Sequence, residues 1–273
     1  MTIRFQFSFI RIPKTPEMAA SSMWRRLFSS STAAPARPSS SSAALFEIRT
    51  YTLHPSGIKP FLALTDKSAS LRSLLNPGFR GFFSRDTGGA LNQVTHVYAF
   101  KDMADRARIR QTLAQSAPWQ QYIDASRPFV AHQESSMFLE ASDCMAAAGA
   151  APANQFASPL PPPAEPATYE LRTYQLSLGY SSVPLLQKAF VEGLPAKVKA
   201  DKTGRLALMA YSDVGALNTF VELWRYPSAA ACIEARQASR LEPDWRACVG
   251  RIAPMVLSFR TEFLTPEPFS PWQ

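Results

Sequence analysis

The chain of 273 residues contains one sequence pattern twice, and this internal repeat limits the folds available to it. FEIRTYTL at residues 46–53 returns as YELRTYQL at residues 169–176, a displacement of 123 residues. Further matches, all displaced by 126 residues, are GALN at 89–92 with 215–218, Trp119 with Trp245, and Pro128 with Pro254. Matches that keep one register over this distance indicate a duplicated structural unit.

Both copies show the same order of strand and helix patterns. Residues 46–53 alternate and are rich in β-branched and aromatic residues, which predicts a strand. Residues 57–75 carry apolar residues at helical spacing and end at Asn-Pro-Gly. The remaining predictions are strands at 79–85 and 92–100, a helix that begins at the N-cap Asp102 (Ser228 in the second copy), a short segment around Trp119, and a strand at 129–139. The order βαββαβ is the ferredoxin-like unit.

A single unit of this kind covers only one face of its four-stranded sheet with helices, so the other face needs a partner. The second copy can supply that partner within the same chain. We therefore predict an α+β fold in which two tandem ferredoxin-like repeats form one α/β barrel. The predicted segments are a leader at 1–44, repeat 1 at 45–141, an Ala- and Pro-rich linker at 142–167, repeat 2 at 168–265, and a tail at 266–273.

Most of the formal net charge of +8 lies in the leader, which has six Arg or Lys residues and a single acid. A basic, Ser-rich segment without an apolar core typical of secretion signals indicates an organelle transit peptide, with mitochondria favoured over chloroplasts. Met18 is an alternative start to Met1, and the sequence around Ser29 resembles a processing site. The rest of the chain is nearly neutral, which argues against nucleic-acid binding. No apolar run is long enough to predict a membrane-spanning helix.

The repeated motifs resemble those of the NIPSNAP family. The resemblance rests on YELRTYQL, the GALN turn, and the runs LNQVTHVYAFKDMADR and LNTFVELWRYPSAAAC, and it extends over roughly residues 45–265. It implies tandem NIPSNAP domains of the dimeric α/β barrel group, mitochondrial association, and roles in mitochondrial quality control or vesicle traffic. The chain departs from the family pattern at Glu222, which stands where the first copy has His96.

Polar residues alternate with apolar ones on the first strand of each copy. Glu47, Arg49 and Tyr51 share one face, and we expect the opposite face, with Phe46 and Ile48, to pack against the helices. The first and third strands of such a sheet are neighbours, which predicts Arg49 beside His96 and Arg172 beside Glu222. These residues form either a structural network that fixes the strand register or a ligand-binding cavity. The candidate residues are Arg49, Tyr51, His96, Tyr98, Arg172, Tyr174, Glu222 and Trp224.

Catalytic motifs are not evident in the sequence. The three cysteines form no CxxC pair, the three histidines suggest no metal set, and no GxSxG, Walker or GxGxxG pattern occurs. We therefore predict no catalytic residue, cofactor or metal ion.

Two hypotheses remain open for the function. The first is a non-catalytic mitochondrial platform for protein partners, with room for a small apolar ligand, for peripheral membrane contact and for further oligomerisation. The second is an enzyme resembling cofactor-free monooxygenases or haem-degrading proteins, with a small aromatic or tetrapyrrole ligand. An enclosed pocket at His96 with an ionisable partner favours the enzyme, and a filled barrel favours the platform.

Overall fold

The structure, a computed structural model, describes residues 44–158 and 166–273. Eight strands form a closed antiparallel barrel in the order β1-β3-β2-β8-β5-β7-β6-β4. Their bounds are β1 Leu45–Leu53, β2 Phe79–Thr87, β3 Gln93–Phe100, β4 Val130–Glu140, β5 Thr168–Leu176, β6 Arg205–Val214, β7 Thr219–Tyr226 and β8 Val256–Pro266. The predicted α+β barrel of two ferredoxin-like repeats is confirmed. The predicted transit peptide lies outside the described residues.

Each repeat contributes four adjacent strands, and the two sheets join at their edges. The joints are β2 with β8 and β4 with β6, both antiparallel. Every strand therefore has two neighbours, so the barrel leaves no open sheet edge among the described strands.

The helices lie outside the barrel. They are α1 Ile58–Lys67, α2 Ala69–Leu75, α3 Met103–Gln115, α4 Ala117–Ser126, α5 Ser142–Ala147, α6 Ser182–Ala200, α7 Ala229–Leu241 and α8 Pro243–Ile252, with short 3-10 turns at Pro55–Gly57, Arg127–Phe129, Ala153–Gln155 and Ala253–Met255. The predicted N-caps are confirmed, because Asp102 and Ser228 each accept a hydrogen bond from the backbone N–H three residues later. None of the helices in the described ranges has the length and apolarity needed to cross a bilayer.

The inside of the barrel is apolar and buried. Phe46 and Ile48 of β1 point inward, and Phe83 of repeat 1 meets Tyr169 of repeat 2 with ring centroids 4.8 Å apart. The prediction that the Phe46 face packs against the helices is therefore wrong. Closing the barrel buries the interior that the two sheets share, so the apolar faces of both sheets turn inward. Fully burying each such side chain contributes about 1.5–3 kcal/mol.

Two segments outside the repeats are more structured than the sequence suggests. Part of the predicted linker forms α5, which buries Cys144 and Met145 against the second repeat. The predicted tail folds onto the barrel, where Trp272 is buried and its backbone N–H donates to the Arg80 carbonyl at 3.0 Å. Both segments bury large side chains, which offsets the entropy of ordering them.

Candidate functional site

A cavity of about 540 Å³ lies in repeat 1 between the outer face of the sheet and the helices. The strands contribute Arg49, Tyr51, His96 and Tyr98 to its lining, and the register sets Arg49 directly opposite His96 on β1 and β3. The helices contribute residues that include Arg72, Arg106, Arg110, Trp119 and Tyr122. Apolar side chains thus fill the barrel, as expected of a platform, while a pocket outside the barrel opens onto His96, as expected of an enzyme. The two arrangements coexist in this protein.

Glu47 anchors one wall of this cavity. Its fully buried carboxylate accepts hydrogen bonds from Arg49 Nε at 2.9 Å, Arg106 Nη2 at 2.6 Å and Ser135 Oγ at 2.6 Å. Burial raises the pKa of Glu47, but the hydrogen bonds from Arg106 and Arg49, the charge of Arg49 and the Ser135 hydroxyl outweigh it and lower the pKa to about 2. Glu47 is therefore ionised at neutral pH and fixes both arginines at the cavity.

Arg72 of α2 is a buried cation beside the cavity. Its Nη1 donates to the Tyr98 hydroxyl at 2.6 Å and its Nη2 donates to the Tyr122 hydroxyl at 2.8 Å. The guanidinium carbon lies 5.0 Å from the centre of the Trp119 ring. Within residues 44–158 and 166–273, no carboxylate pairs with Arg72 and its Nε has no hydrogen-bond partner. A buried charge with only neutral partners is costly, so this position favours a bound anion.

His96 is neutral in this environment. Its ring stacks on Phe82 with centroids 4.2 Å apart, and Nδ1 lies 3.4 Å from the Tyr98 hydroxyl. Burial and the nearby Arg72 and Arg49 lower the pKa of His96 well below its usual 6.5. Among the described residues, Nε2 has no hydrogen-bond partner.

Repeat 2 has a cavity of about 670 Å³ at the corresponding place, but its polar groups are arranged differently. Glu222, which replaces the histidine, lies opposite Arg172 in the register. Its carboxylate accepts hydrogen bonds from Tyr174 Oη and Trp224 Nε1, both at 2.6 Å. Because neighbouring side chains occupy both of its oxygens, Glu222 forms a closed network beneath the cavity.

A second carboxylate in repeat 2 repeats the role of Glu47. Glu170 is fully buried, and Arg172 Nε lies 2.8 Å from its Oε1. Arg236 of α7 also pairs with it. Burial raises the pKa of Glu170, but the charges and hydrogen bonds of both arginines outweigh this effect, so the pKa is lowered. The two repeats therefore share an ionised glutamate that fixes a strand arginine and a helix arginine.

The eight predicted site residues all lie on the helix side of the barrel, but the structure adds two central residues that the sequence patterns missed. Arg72 lies between Tyr98 and Trp119, and Lys197 occupies the matching place between Trp224 and Trp245. Both copies have a basic residue near the end of the first helical region, and this feature of the sequence could have identified Arg72 and Lys197 as equivalent. The register between the copies changes in that region, which concealed the match.

The two cavities also differ in charge. The lining of the first includes five arginines against Glu47 and Glu134, and Arg72 among them pairs with no carboxylate of the described residues. The lining of the second includes Arg172, Lys197, Arg236 and Arg240 and no acidic residue, but the buried carboxylates of Glu170, Glu222 and Asp201 lie beside the first three of these cations. Both linings therefore have more basic than acidic side chains, but only in the second do buried carboxylates of the described residues lie beside the central cation, so the first cavity favours an anionic ligand over a wholly apolar one.

The fold and its helix-covered cavities define a protein of the dimeric α/β barrel class, with both halves in one chain. A putative monooxygenase from Lactobacillus acidophilus shares this fold, with a TM-score of 0.56 and 9% identity, over 82% of this chain and 94% of that chain. A putative monooxygenase from Fusobacterium nucleatum is similar, with a TM-score of 0.55 and 7% identity, over 83% of this chain and 94% of that chain.

Within that class, the chain belongs to the NIPSNAP family, whose model matches residues 46–145 and 169–271. Human Protein NipSnap homolog 3A is 29% identical over 83% of this chain and 85% of the relative. Mouse Protein NipSnap homolog 3B is 28% identical over 86% of this chain and 88% of the relative.

Proposed function

We propose that this NIPSNAP protein is a non-catalytic binding protein whose first repeat holds a small anionic aromatic ligand. The observation that carries the proposal is Arg72, a buried guanidinium at the cavity with neutral hydrogen-bond partners and an Nε that bonds to none of the described residues. An anionic group beside Arg72 would supply the missing counter-charge. Charge-assisted hydrogen bonds of this kind are about twice as strong as neutral ones.

The aromatic part of the ligand follows from the rest of the lining. Tyr51, Tyr98, Trp119 and Tyr122 all line the cavity, and the Arg72 guanidinium lies over the rings of Trp119 and Tyr122. Aromatic pairs favour offset or edge-to-face contacts and add about 0.5–1.5 kcal/mol beyond the burial of their area. A cavity of about 540 Å³ is within the usual range for small-molecule sites.

The neutral state of His96 supports a binding role over general base catalysis. A histidine whose pKa is held well below 6.5 binds protons weakly at neutral pH, so it is a poor base there. Its Nε2, which bonds to none of the described residues, can still form a hydrogen bond with the ligand.

The test compares 1-naphthoate with its neutral counterpart 1-naphthamide by isothermal titration calorimetry. We expect the wild-type chain to bind naphthoate more tightly, and Arg72→Met to remove about 1.5–3 kcal/mol of that preference, which is roughly ten- to hundredfold in affinity. Arg108→Met, which removes an exposed arginine outside the lining, is the matched control. Arg72→Lys keeps the charge and should retain part of the preference.

Equal binding of naphthoate and naphthamide by the folded wild-type chain would refute the proposal. So would an unchanged preference in Arg72→Met, provided that its near-ultraviolet circular dichroism matches that of the wild type.

A second candidate is an enzyme that removes a proton from its substrate through His96. Its support is the Nε2 atom, which has no hydrogen-bond partner in the part of the chain that the structure describes, and proteins described as putative monooxygenases share the fold. Oxygen consumption with 1-naphthol as substrate, lost in His96→Ala but retained in Arg108→Met, would favour this candidate over simple binding.

The mitochondrial location and the role as a platform for protein partners also belong to the proposal. The basic composition of residues 1–44 supports the location. Imaging of the full chain beside a chain that begins at residue 45 tests it, because only the full chain should enter mitochondria.

An exposed apolar end of repeat 2 supports contact with partners. Leu178 and Tyr180 are fully exposed, and Asn218 Nδ2 holds their loop by donating to the Ser177 carbonyl at 2.8 Å. Cross-linking in isolated mitochondria should lose protein partners when Leu178 and Tyr180 are changed to serine, and should keep them in His96→Ala.

A further inference from the structure

The cavity of repeat 2 is a second site that the proposed function does not use. It lies between the outer face of β5 and the helices α6, α7 and α8. Its walls are largely apolar, with Trp245, Ile252, Val256 and Phe259 among the lining residues, and Lys197 of α6 contributes to the same lining. Arg172, Arg236 and Arg240 also belong to the lining, so the site joins a largely apolar space to one amine and three guanidinium groups.

Lys197 has an unusual environment for a lysine. Its side chain is 2% exposed, and Nζ lies 3.2 Å from the centre of the Trp224 ring. The nearest carboxylate oxygen, Asp201 Oδ2, is 3.9 Å away and already accepts a hydrogen bond from Tyr226 Oη at 2.9 Å. Nζ has no hydrogen-bond partner among the described residues. Neighbouring groups thus leave the hydrogen-bonding capacity of the amine unused.

We propose that this cavity binds a small apolar aldehyde or ketone and that Lys197 captures it as an imine. The neutral Nζ attacks the carbonyl carbon to form a carbinolamine, and loss of water then gives the C=N bond. The carbonyl oxygen leaves as that water and takes up two hydrogens from the amine, so no oxidant or reductant is needed. Lys197 is a lining residue of the cavity, so rotation about the bonds of its long side chain can carry Nζ from the Trp224 face to the ligand.

The charges around Lys197 favour the neutral amine that this reaction needs. Burial and the neighbouring Arg172 lower the pKa of Lys197, while Glu222, Asp201 and Glu170 raise it, and the result is about 8. About half of the Lys197 population is then neutral at pH 8, against less than about 1% for a free lysine. Desolvation beside another cation is a known means of activating lysines as nucleophiles.

The first repeat lacks this chemistry because Arg72 takes the place of the lysine. Arginine remains protonated and forms no imine with a simple carbonyl under mild conditions. Two tyrosine hydroxyls also hold Arg72 in place. The two cavities of one chain therefore differ in ligand class, and the second site does not depend on the first.

The experiment treats the full chain with hexanal and sodium cyanoborohydride, which reduces an imine to a stable secondary amine, and maps the adducts by peptide mass spectrometry. Lys199 is the internal control because it is exposed on the same helix. We expect Lys197 to be labelled at least about tenfold faster than Lys199 at pH 8, and the ratio to fall as the pH rises above the pKa of Lys197, because the neutral fraction of Lys197 then levels off while that of a free lysine still increases. Hexan-1-ol, which fills the cavity without a carbonyl, should slow labelling of Lys197 alone.

The opposite result is equally clear. If Lys197 is only a structural cation, its burial makes it the slowest of the lysines, and labelling of Lys197 no faster than of Lys199 overturns the proposal. Lys197→Arg, checked for folding by near-ultraviolet circular dichroism, should lose the fast adduct while Lys199→Arg keeps it. The wild-type peptide map decides the question even where Lys197→Arg does not fold. Labelling of Lys197 should be unchanged in Arg72→Met, because Arg72 belongs to the cavity of repeat 1 and this site does not depend on it.

Discussion

Replacing Glu47 by glutamine should destabilise the protein in a way that depends on pH. The carboxylate is fully buried and receives hydrogen bonds from Arg49, Arg106 and Ser135. Glutamine preserves the shape, but it removes the negative charge and one of the two acceptor oxygens. Its amide N–H groups would then face the donors of the two arginines, leaving buried polar groups unsatisfied.

The size of the effect follows from the pKa of Glu47, which lies at about 2 instead of 4.5. At about 1.4 kcal/mol for each pKa unit, the folded state favours the ionised form by about 3.5 kcal/mol. The side chains of Arg49 and Arg106 are one-fifth exposed, so solvent screens part of this interaction. We expect the free energy of unfolding to fall by about 2–3 kcal/mol at pH 7. Because the folded pKa is lowered, this contribution is present above pH 4.5 and is lost as the pH falls towards 2.

Urea denaturation followed by far-ultraviolet circular dichroism measures the effect at pH 7 and at several values below pH 4.5. The difference between the wild type and Glu47→Gln should be largest at pH 7 and should shrink steadily with acid. Glu134→Gln is the control, because this glutamate also lines the cavity but is two-thirds exposed. Equal stability of Glu47→Gln and the wild type at pH 7, or a difference that does not change with pH, would refute the reasoning.

Two further predictions concern packing and thiol reactivity in repeat 2 and beside it. An added Cβ at Gly193 of α6 would lie 2.5 Å from Cys248 Cβ, so Gly193→Ala should lower the stability measured by thermal unfolding by about 1–3 kcal/mol. Gly250→Ala is the control and should not destabilise the protein, because its Cβ meets nothing within 4 Å. Equal melting temperatures of the two variants would contradict this prediction. Burial, together with nearby acids, raises the pKa of Cys144 and Cys232 to about 12 and of Cys248 to about 11. A disulfide reagent at pH 8 should therefore modify these thiols much more slowly in the native protein than in denaturant, and rapid native reaction would count against their burial.

The fold could be predicted from sequence because it depends on patterns that repeat along the chain. The displaced copies of FEIRTYTL and GALN indicated two units of one topology, and the alternation in each strand separated its polar face from its apolar face. Four strands with one uncovered apolar face then require a partner sheet. The barrel follows from that requirement without knowledge of any single contact.

The candidate site was predictable only in part. Adjacency of the first and third strands was enough to set Arg49 beside His96. Alternation shows which side chains share a face but does not show which face meets the helices, and the expectation for Phe46 failed for that reason. Arg72 and Lys197 come from helices, and their positions over the sheet depend on where each helix packs.

The amino-acid sequence alone determined the duplication, the order of elements in each copy and the polar strand residues, because these follow from local propensity and periodicity. Tertiary structure decided that the polar faces turn outward towards the helices, that each repeat keeps a cavity there, and that one cavity centres on an arginine and the other on a lysine. The reason is physical: burial, electrostatic environment and enclosed space arise only when distant segments pack together.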